Sequence, residues 1–140
     1  QRRRVEQVRP TTPLAERDAR LEAGPRRRRV GRGRIQAEGR LLREAAERCV
    51  DGAHRLAERL NALPGFRLRF DKPFFNEFVL ECPVPAERVR QALLKAGLLA
   101  GVPLGPWYSA MKHSLLVCVS EARTDDELDR YVAAVERAFS

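Results

Sequence analysis

Three lysines, Lys72, Lys95 and Lys112, are the only side-chain amines in this 140-residue chain. A lysine that forms a Schiff base needs a desolvated site that lowers its pKa. Lys72 falls in the turn sequence Asp71-Lys72-Pro73 and Lys95 near the end of a helical pattern, so both are predicted to be solvated. Lys112, beside His113, precedes an apolar stretch and is the lysine best placed for a catalytic role. His54 and His113 lack cysteine or carboxylate partners at metal-ligand spacing, and Cys49, Cys82 and Cys118 contain no CxxC pair. No metal site is predicted from them. Glu77 and Glu81 share a strand face, where they could pair for acid–base work, although a solvated strand face is the commoner explanation. The segment 101–105 lacks both the GxxxxGK pattern and the strand–loop–helix setting of a phosphate loop. Arg123, just ahead of a helix start, is the candidate for binding a substrate carboxylate, against the reading of a surface arginine near a cap. No catalytic, cofactor-binding or metal-binding residue is predicted, and these residues define no autonomous active site.

Hydrophobic periodicity outlines the elements that hold these side chains. Leu42, Ala46, Cys49, Ala53, Leu56, Leu60 and Leu63 recur at helical spacing, with Arg43, Glu44, Glu47, Arg48, Asp51, Arg55 and Arg59 opposite them. This predicts an amphipathic helix that stops at Pro64-Gly65. Phe66, Leu68 and Phe70 alternate with Arg67 and Arg69, and Asn76, Phe78, Leu80 and Cys82 alternate with Glu77, Val79 and Glu81. These are two half-buried strands, joined as an antiparallel hairpin through the turn at 71–73. Pro83 ends the second strand. Pro85 suits the first position of a second helix, with Glu87 in its first turn, Val89, Ala92, Leu93 and Ala96 on its apolar face, and Gly97 at its end. Residues 115–119 are continuously apolar, which predicts a central strand covered on both faces. Thr124 and Glu127 form a capping box before a last helix with Leu128, Tyr131, Val132, Val135 and Phe139 as its buried stripe. The order helix, strand, strand, helix, loop, strand, helix predicts an α+β fold, a small mostly antiparallel sheet covered by helices.

The net charge of +8 belongs entirely to residues 1–40, which hold thirteen arginines, five acids, no lysine and no aromatic residue. Residues 41–140 hold fourteen basic and fourteen acidic residues. The division is therefore an Arg-rich arm at 1–40 and a neutral domain at 41–140. The arm, broken by prolines and glycines, is predicted to be disordered apart from a short helix around 14–22. An arginine arm neutralises phosphates, but without aromatic rings it does not stack on bases in that way. Arginine without lysine amid Gly, Pro and Ala also resembles GC-rich DNA translated in an unintended frame, which makes a non-native arm the expectation. The domain has room for one modest core. No apolar run approaches the roughly 18 residues that span a bilayer, and no h-region of a signal peptide follows the charged start. Each cysteine sits in an apolar pattern, which predicts reduced core thiols in a cytoplasmic protein.

Three stretches carry a family resemblance: Phe74-Phe75-Asn76-Glu77-Phe78-Val79, Gly101-Val102-Pro103-Leu104-Gly105 and Leu115-Leu116-Val117-Cys118-Val119-Ser120-Glu121-Ala122-Arg123-Thr124. With the helix at 43–60 and the turn Leu63-Pro64-Gly65-Phe66, they resemble the C-terminal end of subunit 1 of glycine dehydrogenase (decarboxylating), the glycine cleavage system P-protein in its two-subunit form. The resemblance covers about residues 41–140. It implies the C-terminal small domain of a fold-type-I pyridoxal-phosphate enzyme. The assembled enzyme is implied to decarboxylate glycine and pass the aminomethyl group to the lipoyl group of H-protein. The cofactor lysine is implied to lie in subunit 2, so that pyridoxal phosphate is held by the partner subunit and none by this chain. The implied partners are subunit 2 and lipoylated H-protein, with glycine as substrate of the full complex. Two features depart from the family. Residues 1–40 do not match the Ser/Asn/Cys/Thr-rich loop expected before the helix, and Lys112-His113 replaces residues expected to be acidic or amide. The implied chain is a fragment without the large domain, inactive alone. The alternative is a small nucleic-acid-binding protein with an Arg-rich arm. Against it, Phe66, Phe70 and Phe78 are predicted to lie on helix-covered faces. A third reading is a regulatory or oligomerisation module that exposes a former large-domain contact surface.

Overall fold

The computed structural model describes residues 32–139, with side chains from residue 36 onward. The expected disorder of the arm and its short helix at 14–22 lie outside the described residues.

Helix α1 (Arg32–Asn61) runs for 30 residues, about 45 Å at the α-helical rise. It begins before the boundary expected at residue 40. Gly39 lies within it, and an isolated helical glycine costs only about 1 kcal/mol against alanine. The surrounding Gln36, Ala37, Glu38, Arg40 and Leu41 are all good helix formers. The helix ends before Pro64-Gly65, as its pattern predicts. Asn61 then turns its side-chain oxygen back to accept the Leu68 N–H at 2.8 Å, which ties the helix end to the first strand.

Four strands follow: β1 (Arg67–Leu68), β2 (Glu77–Glu81), β3 (Val102–Pro103) and β4 (Ser114–Cys118). They form one antiparallel sheet in the order β1-β2-β4-β3. The expected pairing of the first two strands holds, with Arg67 opposite Glu81 and Leu68 opposite Leu80. Helix α2 (Ala86–Lys95) connects β2 towards β3, and helix α3 (Asp125–Phe139) closes the fold. Pro85 stands one place before the expected position, as the cap of α2 rather than its first residue. The capping box of α3 is formed: Glu127 accepts the Thr124 N–H at 2.8 Å, and Thr124 Oγ1 accepts the Glu127 N–H at 3.3 Å.

The core joins one sheet face to all three helices. Phe78, Leu80, Leu115 and Val117 meet Ala53, Leu56 and Leu60 of α1, Val89 and Leu93 of α2, and Leu128, Val132 and Val135 of α3. Two expectations are corrected here. Residues 115–119 are not covered on both sides: Leu115, Val117 and Val119 are buried, Leu116 is half-buried and Cys118 is exposed. The helices occupy one side only, and alternate residues of β4 point the other way. Phe70 is 54% exposed rather than helix-covered, because ladder pairing of β1 stops at Leu68 and only the Arg69 N–H reaches Val79 beyond it. Among the described residues no helix is long and apolar enough to cross a membrane.

Candidate functional site

The residues singled out for chemistry do not converge. Lys72, Lys95 and Lys112 are all exposed, in the loop after β1, at the end of α2, and after the 3-10 turn Ser109–Met111. Lys112 contributes its backbone, whose carbonyl accepts the Ala86 N–H at 3.0 Å. His54 stacks on Phe74 with ring centroids 4.1 Å apart and shares a hydrogen bond with the Phe74 carbonyl at 3.0 Å. His113 Nδ1 lies 3.2 Å from the Cys82 carbonyl. Both imidazoles are thus engaged by backbone, and the described residues contain no cluster of His, Cys, Asp and Glu able to hold a metal ion.

Glu77 and Glu81 stand on the open sheet face, four residues apart, or about 13 Å along a strand. That span is too long for a shared proton. Glu77 faces Cys118 across the β2–β4 pair. Glu81 accepts hydrogen bonds from Arg69 at 2.6 Å and Ser114 Oγ at 3.0 Å. Partial burial pushes the Glu81 pKa up, but the bonds from Arg69 and Ser114 and the charges of Arg69 and Arg67 outweigh it, so the carboxyl titrates below its usual range. A carboxyl depressed in the folded state stabilises the fold above its unfolded pKa of about 4.3 and loses that contribution as pH falls through the folded value. Glu81→Gln is therefore expected to lower stability at pH 6 by about 1 kcal/mol and to match the parent chain near pH 2. Urea midpoints measured across that range check this; a difference independent of pH contradicts it.

Neither Cys82 nor Cys118 is activated. Burial first, then the charge of Glu81, pushes Cys82 up to about 12. Burial, followed by the charge of Glu77, also raises Cys118. Cys49 and Cys82 are buried as expected; Cys118 is not, because it points to the uncovered side of β4.

A groove of about 540 Å³ runs beside the β3 edge, lined by Leu98, Gly101, Leu116, Cys118, Arg123 and Tyr131 among others. No lysine lines it. Arg123 reaches its rim, half exposed, with Nη1 3.1 Å from Glu127 Oε1. The glutamate that caps α3 thus also neutralises the carboxylate candidate. Its own pKa is lowered, first by the Thr124 N–H and also by the Arg123 charge. Two features are not visible in residue types alone: the Arg69–Glu81–Ser114 cluster, and the buried Tyr131 hydroxyl, which donates to the Ala100 carbonyl at 2.6 Å. The first needs the hairpin register, which places Arg67 opposite Glu81; the second depends on packing between distant segments.

No family model matches the chain. Its relatives are informative. It is 46% identical over 94 residues to the probable glycine dehydrogenase (decarboxylating) subunit 1 of Chlorobium limicola, a match covering 67% of this chain and 20% of that protein. The protein of the same name from Thermomicrobium roseum is 38% identical over 97 residues, covering 69% of this chain and 22% of its own length. Among solved structures, a glycine decarboxylase (P-protein) of the glycine cleavage system, in inhibitor-bound form, superposes with a TM-score of 0.62 at 33% identity, over 70% of this chain and 22% of that one. An aminotransferase from Streptoalloteichus hindustanus shares the fold, with a TM-score of 0.54 at 15% identity over 74% of this chain and 34% of that one. The chain spans about a fifth of the length of the subunit 1 relatives it matches. Over about two thirds of its own length, this chain is similar to glycine dehydrogenase (decarboxylating) subunit 1 proteins, as a stretch matching one fifth of such a subunit.

Proposed function

We propose that this chain is the C-terminal small lobe of subunit 1 of a glycine dehydrogenase, and that it performs no chemistry alone. The observation that carries this reading is a likeness in sequence and fold to about a fifth of such a subunit, in a chain whose lysines are all exposed. The residues present do not fit pyridoxal phosphate: the groove is large enough for a small ligand but has no lysine along it. In this reading the partner subunit, subunit 2, holds the cofactor. Decarboxylation of glycine and transfer of the aminomethyl group to the lipoyl group of H-protein belong to the cytoplasmic assembly. In this reading the Arg-rich arm at 1–40 is non-native in sequence, and its last nine residues, 32–40, extend α1. Arg123 already gives its Nη1 to Glu127, so a substrate carboxylate would take its remaining N–H donors or displace that glutamate.

The test is reconstitution. The chain is combined with the Chlorobium limicola subunit 1 lacking its matched fifth, with subunit 2, and with lipoylated H-protein. Release of carbon dioxide from carboxyl-labelled glycine is then followed. We expect no release from the chain alone, and at least a tenfold rise when it is added to the truncated enzyme. An unchanged rate overturns the proposal.

A further inference from the structure

We propose that the groove beside β3 binds a short peptide with free ends, held as a strand fragment against the main chain of Cys118. The site stands apart from the family reading and does not depend on it. It exists because β3 leaves the sheet early. Residues of β4 turn their main-chain groups alternately to either side. On the β2 side, the Val119 N–H reaches the Asn76 carbonyl and the His113 carbonyl accepts the Cys82 N–H. Ser114, Leu116 and Cys118 therefore turn theirs towards β3. The Ser114 carbonyl accepts the Leu104 N–H at 2.9 Å, and Leu116 pairs with Val102.

Cys118 is next in that series, and Ala100 is the residue that would pair with it. Gly101, with φ +127, bends the chain away first, and the Ala100 carbonyl accepts from the Tyr131 hydroxyl instead. Among the described residues, neither the N–H nor the carbonyl of Cys118 has a backbone partner. The space left by the departing strand is the groove. Leu98, Ala100 and Tyr131 stand on one side of it, and Leu116 and Cys118 on the other. An unused donor and acceptor on one residue, inside an apolar groove, match the main chain of an added strand.

Charge defines the length of the occupant. Glu77 lines the groove from the open sheet face, cross-strand from Cys118, and has no cationic partner among the described residues. Arg130 lines it from α3, on the helix side, and has no carboxylate within ion-pair distance among the described residues. Arg123, also on that side, is engaged by Glu127. The margin of Cys118 lies between an unpaired anion and an unpaired cation. The complementary ligand carries an ammonium for Glu77, an amide for Cys118, a carboxylate for Arg130 and an apolar side chain for Leu98 and Leu116. A di- or tripeptide of apolar residues has all four. A free amino acid lacks the amide, and a fatty acid lacks both amide and ammonium.

The test titrates the isotope-labelled 140-residue chain with leucyl-alanyl-leucine and follows the Cys118 amide resonance. We expect a saturable shift there, with a Kd of about 1 mM or tighter. Acetylating the peptide's amine and amidating its carboxylate should each weaken binding roughly fivefold or more. Glu77→Gln should remove the penalty of acetylation but not that of amidation, and Arg130→Gln the reverse. Absence of a saturable shift at Cys118 overturns the site. So does equal binding of free and doubly blocked peptide, or binding of leucine or octanoate as tight as that of the tripeptide. Both substitutions fall at exposed positions. The blocked peptides probe the same contacts in the unaltered chain, so the result stands even if a variant misfolds.

Discussion

A Gly101→Ala variant is expected to lose about 3 kcal/mol or more of folding stability, a large share of the roughly 5–15 kcal/mol that holds a domain together. Gly101 has φ +127, a region that side-chain-bearing residues rarely occupy. A Cβ there would stand 2.2 Å from the Leu116 carbonyl oxygen. That oxygen is backbone of the central strand, and relief would require parting the Val102–Leu116 pair that holds β3 to the sheet. The preceding Ala100 carbonyl is fixed in turn by Tyr131 of α3, so the loop cannot retreat cheaply. Gly39→Ala is the control. It lies in α1 with nothing within 4 Å, and is expected to gain roughly 0.5–1 kcal/mol from helix propensity. Urea titrations of both variants measure the contrast; a Gly101→Ala midpoint equal to the parent's removes the argument for a backbone clamp at this edge.

Adjacent leucines should respond very differently to the same substitution. Leu115 is 0% exposed against the helices, and Leu115→Ala is expected to cost about 3–4 kcal/mol through lost burial and the cavity left behind. Leu116 is half-buried on the other face, and Leu116→Ala should cost less than about 1 kcal/mol in the isolated chain. Equal losses would mean that the sheet is covered on both sides in solution.

That pair also marks where the sequence could be read and where it could not. Element types were legible wherever a local period or cap dictated them. The helix stop near Pro64, the Thr124–Glu127 box and the alternation through β2 each rest on residues within a few positions of one another. Strand order was not legible, because β4 inserts between β2 and β3 through pairings with no local signal. The two-sided burial expected for 115–119 failed for a related reason. Apolar composition records that a face is to be covered, without recording whether the cover lies in the same chain. Phe70 misled because the strand that would have turned it inward pairs over only two residues. For the candidate site, the i, i+4 spacing of Arg123 and Glu127 already contained their ion pair, whereas the grip of Arg69 and Ser114 on Glu81 required the tertiary register.

The two outer strands have a consequence for how the chain behaves at high concentration. Each is only two residues long, and one ends in Pro103, which has no N–H to offer. A neighbouring molecule therefore meets no extended row of free backbone donors and acceptors along either margin. Fibril growth, which proceeds by adding strand to strand, lacks a template here. Self-association of the described domain is therefore expected to run through side chains on a face rather than along a strand margin.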